Sequence, residues 1–160
     1  MFFTKSGRPI TYHGNEHIPE PRRKDGTAGK IRSMDTLFEV LLEVWCKNTA
    51  YPGCRASYDQ ENDPTYGQCA ITAMLVYDTF GGSICKIKTA GGGSHYFNRI
   101  DGCTLDLTSD QFALYNMPVD YSSGEAVSWE HCGRNADTQA RYELLARLVN
   151  QRLWQRENTP

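Results

Sequence analysis

The sequence predicts an α+β domain, on three observations. Two stretches, one after Ser33 and one at the C-terminus, repeat apolar residues at helical spacing. Between them, "DPTYGQCAITAMLVYDTFGG" (Asp63 to Gly82) reads as a helix apolar on nearly all sides. Three short strand-like runs follow it, two of them joined by Asp101-Gly102. Helices separated from a run of consecutive strands define this class.

Residues 1–32 hold seven scattered Gly and Pro residues and little apolar periodicity, and are expected to form a flexible basic tail. Its cluster Arg22, Arg23 and Lys24 is read as a solvated charge run, with contact to an acidic partner as the functional alternative. Residues 33–156 are expected to form a single domain. In "SMDTLFEVLLEVWCKN", Met34, Leu37, Phe38, Leu41, Leu42 and Trp45 form one helical stripe, with Ser33 as N-cap. Residues 48–66 read as a loop that leads into the next helix and walls whatever lies at its start.

That next helix carries Gln68 and Cys69 at its opening and Gly81-Gly82 as its stop. Thr65 and Gln68 match the spacing of a capping box. A helix without a polar face belongs in the middle of a fold. "SICKIKT", "SHYFNRI" and "CTLDLT" are the strand candidates, and Asp-Gly is a strong two-residue turn signal. Residues 111–133 read as polar and irregular. "NADTQARYELLARLVNQRLWQ" closes the chain as a helix striped by Tyr142, Leu145, Leu148, Val149 and Leu153.

Composition excludes several classes of function. A formal net charge of -2 over 160 residues gives no global field for nucleic acid or an anionic membrane. No stretch approaches the roughly 18 apolar residues of a membrane span. The N-terminus lacks an apolar signal core, so the cytoplasm, where thiols stay reduced, is the expected compartment. The six cysteines are Cys46, Cys54, Cys69, Cys85, Cys103 and Cys132, without any Cys-x-x-Cys. None of the four histidines repeats at ligand spacing, so neither a metal nor another cofactor is expected.

The hairpin places chemistry. With Asp101-Gly102 as its turn, Ile100 pairs with Cys103, Asn98 with Leu105, Phe97 with Asp106 and His95 with Thr108. His95 and Asp106 then share a face as diagonal neighbours about 7–8 Å apart, a span that side chains bridge. Cys69 lies in the first turn of its helix, where the dipole and free N–H groups favour an anion. Cysteine, histidine and aspartate are the parts of a cysteine-nucleophile site. Helix-start N–H groups would serve a developing oxyanion, with Gln68 and Gly67 as further oxyanion or substrate contacts. Each residue also has a structural reading: Cys69 as core packing, His95 as a half-buried strand residue, Asp106 as a turn cap, Gln68 as a helix cap. His131-Cys132 is a weaker competing pair, with no carboxylate of known register to orient it.

The blocks "DPTYGQCAITAMLVYDTFGG", "GSHYFNRIDG", "LDLTSDQF" and "RYELLARLV" resemble the small bacterial YunG-like proteins, from about Leu37 to Val149. That pattern is in turn similar to papain-like and transglutaminase-like enzymes, in which a cysteine opens the central helix and His and Asp or Asn come from later strands. The resemblance implies a papain-like core with Cys69 as nucleophile, His95 as base and Asp106 as its orienter. One feature departs from it. In papain-like proteases the oxyanion glutamine lies several residues before the cysteine, whereas Gln68 is adjacent and Gln60 lies back in the loop. The short Cys-to-His spacing favours a small acyl group, a side-chain amide or a tail-like peptide as substrate.

The expected function is therefore acyl transfer through a thioester, as a peptidase, amidase or deamidase. The alternative is a non-catalytic interaction domain of the same fold. A redox reading would need a resolving cysteine near Cys69, with Cys85 or Cys103 as candidates.

Overall fold

The computed structural model describes residues 1–22 and 31–159. Its regular elements are β1 (Phe2–Phe3), β2 (Pro9–Ile10), α1 (Met34–Val44), α2 (Cys69–Phe80), β3 (Ser83–Lys88), β4 (Ser94–Ile100), β5 (Cys103–Leu105), α3 (Asp110–Ala113), β6 (Glu125–Val127), α4 (Trp129–Cys132) and α5 (Ala136–Glu157). Two 3₁₀ turns, Pro52–Ser57 and Tyr121–Ser123, lie in the connections. The architecture is α+β: a small antiparallel sheet of order β5-β4-β3-β6 with several helices.

The hairpin forms because Asp101 and Gly102 both adopt positive φ, 53° and 78°, as the favoured two-residue turn requires. Its register is Ile100↔Cys103, Arg99↔Thr104 and Asn98↔Leu105. The ladder stops there. The expected pairs Phe97–Asp106 and His95–Thr108 do not form, because Asp106 leaves β5 and makes a two-way backbone bridge to His13.

Helix α2 is the central element. Ile71 to Val76, Thr79 and Phe80 are all buried, between β4 and β3 on one side and α5 and α4 on the other. Trp45, the residue that ends α1, is fully buried and donates from its indole to Thr72 Oγ1 at 3.1 Å. Ser33 caps α1 as expected, accepting from Thr36 N–H. α5 begins at an Asn135 cap and buries Arg141, Leu145, Val149 and Leu153.

The N-terminal segment departs from the expectation of a flexible tail. Residues 1–22 pack on the domain: Ile10 and Tyr12 are buried, and Phe2, Tyr12 and Phe38 form an aromatic group with centroids 4.8–6.3 Å apart. Tyr12 OH also donates to Asp35 Oδ1 at 2.6 Å. Two-residue strands carry no periodicity to read, so the aromatic contacts decide this segment. Arg22 pairs with Asp101 of the same chain, while Arg23 and Lys24 lie outside the described residues.

The stretch 111–133, expected to be irregular, contains β6 and α4 and covers part of the sheet. No helix among the described residues is long and apolar enough to cross a membrane. No group of three or more His, Cys, Asp or Glu among them is placed to hold a metal ion.

Candidate active site

His95 enters the fold on β4 and Asp106 just past β5, and the hairpin brings them together. His95 Nε2 and Asp106 Oδ2 are 2.7 Å apart, and both side chains are 1 % exposed. Asp106 is saturated with donors. Its Oδ2 also accepts from Tyr121 OH at 2.7 Å, and its Oδ1 from Thr108 N–H at 3.0 Å and Thr108 Oγ1 at 3.1 Å. A carboxylate buried this deeply needs such partners.

The imidazole is fixed from its sides as well. Phe112 meets it edge-on at 4.7 Å, and Phe97, its face neighbour on β4, lies parallel at 6.5 Å. Tyr121 in turn packs edge-on against Phe97 at 4.9 Å and carries the His13 ring stacked at 4.4 Å. Phe112, Thr108, Tyr121 and His13 were not legible as site residues. Thr108 fell on the correct face of the hairpin, but Tyr121 and His13 come from segments without periodicity.

Cys69 opens α2 and is half-buried. Its thiol is near enough to the His95 ring to favour the protonated imidazole. A formed hydrogen bond is absent, since His95 Nδ1 is buried without a partner. For His95, burial disfavours the charged ring. The Asp106 charge and hydrogen bond, with the Cys69 contact, outweigh it and raise its pKa from 6.5 to about 10. The same carboxylate, together with burial, pushes the Tyr121 phenol upward.

Gln68 is placed differently from either sequence expectation. It is fully buried, and its Nε2 donates to the Cys46 carbonyl at 3.1 Å. The capping box does not form: Gln68 makes no side-chain cap bond, and Thr65 Oγ1 is buried without a partner. Carbonyls just past the end of α1 take these amides: Gln60 Nε2 likewise donates to Trp45 O at 2.8 Å. Both glutamines therefore tie α1 to the approach of α2. Gly67 sits at φ 75°, and a Cβ there would meet Cys54 Cβ at 2.9 Å. Only glycine fits this close approach before Cys69.

All six cysteines are free thiols. Cys132 lies within electrostatic reach of Cys69. Burial and the Cys69 charge push its pKa from 9.0 to about 11, against Arg134 and Lys86. In the competing pair, the His131 ring contacts Lys86 Nζ at 3.3 Å, and Cys132 is buried.

Fold and site together define a small α+β protein with a half-buried cysteine at a helix start beside a buried His–Asp pair. The family model described as YunG protein matches residues 33–154. The protein YunG of Bacillus subtilis (strain 168) is 32% identical over 88 residues, which span 55% of this chain and 68% of that protein. The chain belongs to the YunG family. No solved structure matches it.

Proposed function

We propose that the protein is a cysteine-nucleophile acyl-transfer enzyme, of peptidase, amidase or deamidase type, with a papain-like order of Cys69, His95 and Asp106. The observation that carries this reading is the buried pair at 2.7 Å, whose other ring nitrogen is without a partner and whose ring adjoins the Cys69 thiol. A core cysteine needs no buried, oriented imidazole beside it.

Cys69 Sγ gives its proton to His95 and bonds to the substrate carbonyl carbon. Collapse of the adduct breaks the bond to the leaving amine, which takes the proton back from His95 Nδ1, and a thioester remains. Water then attacks, His95 accepts its proton, and the acid leaves as the proton returns to sulfur. Asp106 holds Nε2 throughout and stabilises the imidazolium. Gln68 and Gln60 are engaged by α1 carbonyls, so the oxyanion donors are the backbone N–H groups of the first turn of α2, which lack intrahelical partners.

Mass-spectrometric mapping of iodoacetamide labelling on the folded protein tests the reading. Cys69 is expected to label first among the six thiols at pH 7, and His95→Ala to slow it about tenfold or more. Labelling of Cys69 that ignores His95 would leave a non-catalytic role for the fold.

A further inference from the structure

Three cationic or basic side chains, Lys86, His131 and Arg134, meet on the α2 side of the sheet. Lys86 on β3 is paired directly with Tyr96, so it shares the α2 face of the sheet with Tyr96 and Ile84, opposite the face of His95 and Ile87. The Lys86 ammonium lies 5.9 Å from the Tyr96 ring centroid and 3.3 Å from His131 Nε2. Arg134 is folded over the end of α4, with Nη1 donating to the His131 carbonyl at 2.5 Å. α4 carries this group against α2: Cys132 packs with Ala73 and Met74, and Ala73 stands one turn above Cys69 on the same helix face.

None of the ion pairs among the described residues includes Lys86, His131 or Arg134. Glu125, the cross-strand neighbour of Lys86, is exposed and forms no ion pair with it. Burial, with the charges of Arg134 and Lys86, lowers the pKa of His131. Cys132 and Tyr96 each respond both to the Cys69 charge and to Arg134, which puts the cations and the thiol in one electrostatic neighbourhood. Like charges grouped without a paired carboxylate repel one another in the free protein, and an anion bound between them relieves this.

We propose that Lys86 and Arg134, with Tyr96 and His131 between them, form an anion subsite beside Cys69, so that the substrate carries a carboxylate or phosphate near the carbonyl under attack. This rests on the acyl-transfer reading and deepens it by naming the substrate class. Lys86 supplies a point charge, and Arg134 a planar fork suited to either oxyanion.

The test compares two alkylating agents that differ in charge. Both form a bond from Cys69 Sγ to carbon as iodide leaves, but iodoacetate carries a carboxylate and iodoacetamide does not. At pH 7 and low salt, the double variant Lys86→Met/Arg134→Gln is expected to lower the ratio of the iodoacetate rate to the iodoacetamide rate at Cys69 about tenfold. Added sodium chloride should erode the wild-type preference for iodoacetate. Arg134→Gln alone, at an exposed position, is expected to give part of the effect and guards against misfolding of the double variant. Protection by glutarate against protection by inorganic phosphate then distinguishes the two anion classes. Equal iodoacetate-to-iodoacetamide ratios in wild type and both variants would overturn the subsite while leaving the nucleophile intact. A Cys69 inert to both reagents would overturn the two readings together.

Discussion

Asp106 is the residue on which the site depends. Four donors from three residues converge on its two oxygens, and the site has no other carboxylate partner for the imidazole. Its pairing sets a pH dependence whose sign follows from His95. The folded-state pKa lies above the ordinary 6.5, at about 10. The stability that His95 contributes is then complete below about pH 6.5 and is lost as pH rises toward 10. Urea midpoints measured across this window should fall more steeply for wild type than for His95→Gln. Parallel slopes would mean that the pair does not hold a proton on the ring. Tyr121 acts on this arrangement through Asp106, and its stacking on His13 extends the buried network to the N-terminal segment.

At the level of elements, α1 and α5 are joined at their surface by Glu43. Arg152 pairs with one carboxylate oxygen, and Arg156 with the other at 2.8 Å. Burial opposes the carboxylate charge, but the two guanidinium groups win and lower its pKa below the ordinary 4.5. The contribution is present above that value and disappears as pH falls through the lowered one. Because Glu43 is more than a third exposed, Glu43→Gln is expected to cost only roughly 0.5–1 kcal/mol in urea unfolding at pH 7. The elements themselves were readable wherever a local signal was strong: helical stripes for α1 and α5, all-round apolarity for α2, Asp101-Gly102 for the hairpin. The pairing of His95 with Asp106 followed from that register, although the ladder ends one residue before Asp106. β6 escaped notice because three residues carry too little alternation to count. Gln68 matched a local capping pattern, but the Cys46 carbonyl, remote in sequence, took its amide. The ring of support around His95 was hidden for the same reason: Tyr121 and His13 reach it through contacts that no spacing rule encodes.

For the molecule as a whole, the difference between a tail and a packed segment is measurable. Tyr12 is 2% exposed and lies against Phe38, so Tyr12→Ala is expected to cost about 3–5 kcal/mol, the usual range for removing a buried aromatic. Ile18, 77% exposed, should tolerate Ala within about 0.5 kcal/mol. A Tyr12→Ala protein as stable as wild type would show that residues 1–22 do not belong to the core. The bridge between His13 and Asp106 has a further consequence for biogenesis. Translation delivers His13 to the ribosome exit long before Asp106 and Tyr121. His13 must wait for these later partners. Assembly of the buried network is thus deferred until the strands have been synthesised, so a nascent chain truncated before Asp106 exposes Cys69 without its imidazole held in place.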